Sequence, residues 1–383
     1  MGEHDRARVL LLSCRRLRTT LANSSLVEFE DVVRQIDRAD LFCPTIYRDH
    51  RRFELSRNAQ RIVRLGSGGR LGRRAVVPYP VELVPQREYD LLVATFDNPW
   101  DLSLVNLIEG VRHRFGAVVA YVTEVWPGAL EDWKFRLEDF GLFDHIFVAS
   151  ASTVELFSAV SGVACSWFPP AVDCERFAPR DRRFRRVIDV VNLGRRMPGT
   201  HGALRELARD EGWFYLYDDV REGHFDDPIA HRDWLADVLL RSRYNIANYA
   251  RCDRPDLTRG RREIGSRFVE GAASGTVMLG APPEPEQLAR QMPWEDAVVP
   301  LPVDAPGVVD VLRSLEADPD RVEGIRRRNV AGALRHHDWA HRWLSLLAAA
   351  GLAPQPDTIA RLERLAAEAD GWDRDERTQS RST

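Results

Sequence analysis

The sequence predicts an α/β protein made of two successive doubly wound parallel sheets, followed by C-terminal helices. Three observations predict it. Short apolar runs alternate with amphipathic stretches along nearly all of the 383 residues. The runs are continuous in Val, Leu and Ile rather than alternating, as suits strands covered on both faces. The rhythm breaks once, at FPPAVDCERFAPRDRRFRR (168–186), and then restarts. A chain of this length exceeds one ordinary core, so two domains are the expectation.

In chain order, RVLLLS (8–13) reads as the first strand and LVEFEDVVRQI as the first helix. YDLLVATF (89–96), AVVAYVTEV (117–125) and HIFVAS (145–150) read as further strands. DLSLVNLIEGVRHRF and EDWKFRLEDFGLF read as the helices between them. Strand–helix alternation implies right-handed crossovers and a parallel sheet. After the break come strand VIDVVNLG (187–194), helix HGALRELARDEG, strand FYLYDD, helix HRDWLADVLLRSR and strand YNIANYA. Strand TVMLG, helix EPEQLARQM and strand AVVPLPV complete this half. The chain is helical from Asp320 to about Gly351, and TIARLERLAAEAD predicts one more helix. From Gly371 onward the sequence reads as a loose tail. The boundaries expected are 1–178, 179–351 and 352–383.

Composition narrows the function. Hydrophobic content of 44% and charged content of 29% are those of a soluble globular chain. The net charge of −4 offers no basic excess for nucleic acid. Basic charge is almost entirely arginine, the exception being Lys134, so a phosphate-binding cation here is arginine or occasionally histidine. Cys14, Cys43, Cys165, Cys174 and Cys252 are scattered without a C-x-x-C pair, which argues against disulfides or a zinc site and fits a reducing cytoplasm. No run approaches the roughly 20 apolar residues of a membrane span. A peripheral membrane contact stays open.

The stretch GRREIGSRFVEGAASGTVMLG (260–280) carries the most chemistry. A helix beginning near Ser266 would present unpaired N–H groups and a positive dipole end to an anion. Gly265 allows a tight turn, and Gly271 and Gly275 allow close helix–strand approach. Glu270 lies one position past the capping-box slot, so its carboxylate can accept two hydrogen bonds from a vicinal diol such as a ribose. The same residues fit a small-residue helix packed on a sheet, with Glu270 complementing the dipole. Both readings stand at this point.

EGAASGTV resembles the E-A-x-A-x-G-x-P-V segment of retaining glycosyltransferases with the GT-B fold. Arg267-Phe268-Val269-Glu270 is similar to the R-x-x-E of their spore-maturation-like group. Three further segments agree in order. Asp173, Phe177 and Pro179 fall in register with a P-x-x-x-D-x-x-x-F-x-P hinge. VNLGRRMPGTHGAL resembles a G-R-x-x-x-x-K-G loop, and RHHDWAHRW resembles a closing H-x-[YW]-x-x-R segment. Together they span roughly 145 to 343; the first 140 residues match only in rhythm. The resemblance implies two Rossmann-like domains facing a cleft, with an acceptor in the first and a nucleotide-diphosphate sugar in the second. It implies transfer with retention, without a metal or other cofactor. By position, Glu270 would bind the ribose, Gly265, Ser266 and Arg267 would lie at the diphosphate, and Arg195 would neutralise phosphate charge with Arg196 beside it.

Two departures bear on this. Relatives often carry a first glutamate where Arg262 stands here, with Glu263 one place off. The loop lysine is replaced by His201, cationic only near or below its usual pKa of about 6.5. Glu124, just after a strand, is the candidate acid on the acceptor side, against a structural role. Asp97 ends another strand and reads better as the start of the next helix. Arg15 and its neighbours in SCRRLRTT fit an anionic acceptor or a solvated charge run. The tryptophans of 337–343 read as packing groups and its histidines as surface groups. A non-catalytic nucleotide-sugar-binding relative is the alternative, and hydrolysis or epimerisation of the donor is a third option. A nicotinamide-dependent oxidoreductase would need G-x-G-x-x-G after the first strand; VLLLSCRRLRTT has none, and LGSGGRLG (65–72) follows no convincing strand.

Overall fold

A computed structural model of the chain describes residues 7–15, 23–45, 55, 59, 81–130, 137–181, 184–218 and 227–379. Lys134, the basic run 16–20 and the glycine-rich run 65–72 lie outside them. The chain divides into two compact units, Met1–Phe168 with Leu346–Ala353, and Pro169–Ser345 with Pro354–Thr383.

The first unit holds a parallel sheet of six strands in the order β2-β1-β3-β4-β5-β6 among the described residues. They are β1 Val9–Ser13, β2 Ala39–Phe42, β3 Tyr89–Phe96, β4 Phe115–Val122, β5 His145–Val148 and β6 Cys165–Trp167. Among the described residues its longest α-helices are α1 (Ser24–Ile36) and α2 (Val154–Ser161). β1 and the inner part of β3 are buried throughout, the burial pattern that their unbroken apolar runs predict. The strand order reverses between β1 and β3, where Ser13 pairs in register with Thr95. Under that point lies Glu30 of α1, fully buried. Ser13 donates to it at 2.7 Å and Arg15 at 2.6 Å, and the Thr95 hydroxyl donates to its other oxygen. Burial pushes the Glu30 carboxyl above its ordinary value, against the pull of Arg15. Arg15 also reaches Asp31 at 2.5 Å, so its charge is spent inside the unit rather than on a solvated run.

The helix expected over DLSLVNLIEGVRHRF is instead a 3-10 helix, Pro99–Leu107, and a single α turn, Val111–Arg114. Gly110 separates them at φ 68, a left-handed conformation that costs glycine little. The carboxylate of Asp97 accepts from Asn98 at 3.0 Å, directly before that helix.

Among the described residues the second unit holds a five-stranded parallel sheet in the order β11-β10-β9-β7-β8. Its strands are β7 Ile188–Asn192, β8 Tyr215–Tyr217, β9 Ser242–Ile246, β10 Val277–Gly280 and β11 Val299–Pro300. Its α-helices of more than one turn are α3 Pro198–Glu211, α4 Pro228–Leu240, α5 Ser266–Ser274, α6 Pro285–Gln291, α7 Val308–Glu316, α8 Pro319–His336, α9 Trp339–Ala349 and α10 Pro356–Gln379 among the described residues. β11 is far shorter than AVVPLPV suggested, because Pro300 and Pro302 cannot donate to a ladder. One core joins Val190, Tyr244, Val277 and Leu279 of the sheet to Leu204, Leu312 and Ile325 of the helices.

Two glycines set how closely this unit packs. A Cβ on Gly271 would lie 2.7 Å from Met278 Sδ, so α5 rests directly on β10, as the small residues predict. Gly280, at φ 157, leaves no room at all: a Cβ there would meet the Ala247 carbonyl oxygen at 2.1 Å. Gly280→Ala is therefore expected to lower the urea midpoint by the equivalent of about 3 kcal/mol, since backbone rather than a side chain must yield. A midpoint within experimental error of wild type would contradict that packing.

The end of the chain corrects two expectations. The segment read as a loose tail continues α10 to Gln379, and Trp372 is buried. Of the residues in the closing segment, Trp339 and Trp343 are buried as expected, but His337 is fully buried rather than on the surface. Burial and the charge of Arg342 hold its imidazole well below the usual range, hence neutral.

Candidate functional site

In open parallel sheets ligands bind beyond the carboxyl ends of strands, where the strand order reverses. In the second unit that point lies between β7 and β9. β7 is followed by Gly194-Arg195-Arg196. Gly194 stands at φ 85 and its N–H donates to Asp218 at 2.9 Å. Arg195 pairs with Asp253, beyond β9, at 2.7 Å, with both side chains about two-fifths exposed. Arg196 pairs with Asp218 at 2.8 Å and lies 5.5 Å from the Tyr217 ring centre. Arg195 thus bridges the switch point and Arg196 turns toward β8.

His201 is on the first turn of α3. Its Nδ1 lies 2.8 Å from the Tyr215 hydroxyl, which also accepts from Asn192 at 3.3 Å. The nearby amino end of α3 already holds a carboxylate. Gly199 and Thr200 N–H donate to Asp304 at 3.1 and 2.7 Å. These bonds, Thr200's foremost, keep the Asp304 carboxyl below its ordinary value.

The amino end of α5 differs. Its N-cap is Gly265 rather than Ser266, and no side chain caps it. Ser266 and Arg267 are its first two residues, and Glu270 is in the second turn. Phe268, Val269, Ala272 and Ala273 are fully buried and face the core, and Gly275 ends the helix at φ 66. The Ala250 N–H, beyond β9, donates to the Glu263 carbonyl at 2.9 Å and ties this helix start to the switch point.

Glu270 is 1% exposed. Arg232 of α4 donates to Oε1 at 2.5 Å and Arg267 to Oε2 at 2.5 Å. Burial would raise this carboxyl, but the charges of Arg267 and Arg232 outweigh it and hold it down to about 2. Both oxygens are engaged within the unit, so a diol would have to displace a guanidinium. The position expected for a first glutamate and its neighbour are also engaged. Arg262 pairs with Glu284 at 3.1 Å, and buried Glu263 accepts from Gln287 at 2.9 Å.

Residues 194–348 match the family model described as glycosyl transferase-like. Among solved structures, an alpha-glucosyltransferase in complex with UDP and a 13-mer DNA containing a HMU base aligns over 90% of this chain and 100% of its own, at 10% identity and a TM-score of 0.52. The chain has the GT-B fold. A glycosyltransferase from Rickettsia africae aligns over 90% and 98% at 7% identity, with a TM-score of 0.49. Anabaena HepE with UDP and glucose aligns over 90% and 100% at 10% identity, with a TM-score of 0.47. No curated protein matches the chain. Among the described residues no helix is long and apolar enough to cross a membrane.

In this GT-B chain the glycosyl transferase-like region begins at Gly194 and contains each residue expected at the donor. Arg195, Gly265, Ser266 and Arg267 gather at the carboxyl edge of one sheet. Arg232, Asp253 and Asp304 escape the sequence reading because their partners are remote: Arg232 is 38 positions from Glu270. In the first unit Glu124 stands just past β4, half-buried, and accepts from the Trp126 indole at 2.6 Å.

The closing segment serves the start of its own unit. Arg342 donates to the carbonyls of Pro169 and Pro170 at 3.0 and 3.2 Å. Asp338 accepts from the Cys174 N–H at 2.9 Å. Arg361 of α10 bonds Asp338 at 2.8 Å and Asp173 at 2.6 Å.

Proposed function

We propose that the protein is a glycosyltransferase that takes a sugar from a nucleotide-diphosphate donor and passes it to an acceptor held by the first unit. The observation that carries this is the uncapped amino end of α5, whose first two turns carry Arg267 and Glu270, at the same switch point of the sheet as Arg195. A diphosphate leaving group gains charge as the anomeric C–O bond breaks, and pre-placed arginines and helix N–H groups stabilise that charge. Arginines can supply this charge without a metal. Retention, and membership of the spore-maturation-like group, are read from the R-x-x-E at 267–270. Glu124 is the acid proposed on the acceptor side. With α3's amino end filled by Asp304, the diphosphate is assigned to α5.

Thermal-shift measurements with UDP-, GDP-, dTDP- and ADP-sugars test the donor site, since a ligand of the native state raises the midpoint. One class is expected to stabilise the protein; no shift with any of them would count against the site. Arg195→Ala is expected to slow transfer about 10²-fold in steady-state assays, the scale of losing one charge-stabilising donor. Near-normal turnover would place the phosphates elsewhere.

A second reading is a nucleotide-sugar-binding protein without transferase activity. It is favoured by His201, bonded to Tyr215 where relatives carry a lysine. Donor binding without turnover across candidate acceptors would support it.

A further inference from the structure

Glu270 meets two arginines, so the buried group carries a surplus positive charge. The two arginines are not equivalent. Arg232 comes from α4, has a side chain as buried as that of Glu270, and lies 4.7 Å from the Phe177 ring centre. Arg267 is the second residue of α5, and its side chain is 30% exposed. Each takes its own carboxylate oxygen. His231 adds no charge here, because burial and the two arginines push its imidazole down to about 4.

We propose that Arg232 is a positioning residue that lets Arg267 move from Glu270 to a diphosphate. The proposal rests on the donor-site reading above and says how that site engages its ligand. A buried carboxylate stripped of its only counterion is strongly unfavourable, so with one arginine the pair would stay locked. With Arg232 on Oε1, Glu270 remains ionised and paired when Arg267 leaves. The departure does two things at once. It brings a guanidinium fork to an anion at the uncapped end of α5. It also uncovers Oε2, the oxygen to which a ribose diol can donate. Arg267 therefore covers the diol-binding acid, and ligand phosphate is what draws it off.

Calorimetric titration of inorganic pyrophosphate into the full chain reads the anion half of this exchange without base or ribose. Wild type is expected to bind. Arg267→Gln should bind about tenfold more weakly, the loss of one charge-assisted contact. Arg232→Met should lose about as much, because Arg267 is then held by Glu270. Adding Arg267→Gln to Arg232→Met should change little, and adding Glu270→Gln to Arg232→Met should release Arg267 and bring affinity back to within about threefold of wild type. Losses that add independently, or no recovery with Glu270→Gln, would overturn the proposal. Should Arg232→Met fail to fold, the double variant Arg232→Met/Glu270→Gln, which holds neither buried charge, replaces it. It must bind pyrophosphate near the wild-type level, and must lose about tenfold on adding Arg267→Gln; any other result overturns the exchange. A protein that binds a nucleotide sugar but shows no coupling between Arg232 and Arg267 keeps its donor site and loses this inference. One that binds neither pyrophosphate nor any nucleotide sugar loses both.

Discussion

Glu270→Ala is expected to destabilise the second unit by about 3–5 kcal/mol, the cost of breaking a buried ion pair from one side. The loss arises from what stays behind. Arg232 is buried against Phe177, and without Glu270 its charge loses the carboxylate it pairs with. Urea unfolding followed by circular dichroism measures the effect. The double variant Glu270→Ala/Arg232→Met should recover much of it, since both buried charges then go together. A cost under about 0.5 kcal/mol for the single variant, the level of a surface change, would mean that the pair is solvated. The pH dependence has a definite sign. The folded carboxyl titrates near 2, below its ordinary 4.5. Its contribution is therefore complete above about 4.5, and it is lost as pH falls through the folded value. The same variant should lose the thermal shift given by the stabilising nucleotide sugar, because the diol acceptor is gone.

Arg361→Ala is the second variant expected to cost about 3–5 kcal/mol. Its guanidinium serves Asp338, which is fully buried, and Asp173, which is nearly so; it also reaches Glu175 at 3.0 Å. Removing it takes the guanidinium from buried Asp338, leaves Asp173 to Arg176 at 3.5 Å, and unpins α10 from the segment around Asp173. Burial opposes the Arg361 charge, but its partners win and raise its pKa above the ordinary arginine value. The comparison variant is Arg364→Ala. Arg364 is 62% exposed and pairs with Glu175 at 3.0 Å, an exposed pair of the kind worth about 0–1 kcal/mol. Equal effects from the two variants, measured by urea midpoint, would refute the assignment of the buried network.

Both variants bear on what could be read beforehand. The R-x-x-E spacing was visible as a motif, and i,i+3 spacing on a helix places Arg267 beside Glu270. Arg232 was not visible: it lies in HRDWLADVLL, a stretch whose apolar residues announce a helix and whose arginine looks like any exposed charge. Its burial follows from α4 packing against α5, a contact no local pattern encodes. Asp338 and Asp173 lay in recognised motifs. Their shared partner Arg361 comes from a helix read only as an extra C-terminal element.

The fold was more legible than the site. Strands β1, β3, β4, β5, β7 and β10 fall on the Val-, Leu- and Ile-rich runs, because both faces of a parallel sheet are covered. The misses have local causes. β2 and β6, of four and three residues, are too short to show a period. Gly371 suggested an end, but Trp372 is buried, and Arg335 pairs with Asp370 at 2.7 Å and Asp373 at 2.6 Å, carrying the helix onward.

Alone, the amino-acid order determined the two-sheet α/β plan, the small-residue helix at 266–274 and the close approach of Gly271 to β10, since these depend on periodicity, side-chain volume and backbone freedom; Gly275, expected against the strand as well, lies instead against Val330 of α8. Tertiary structure decided which charges face which. It filled one helix amino end with Asp304 and left the other uncapped, and it set a second arginine against Glu270. Helix termini and carboxylates attract whatever opposite charge folding brings near, and that neighbour comes from tens of residues away.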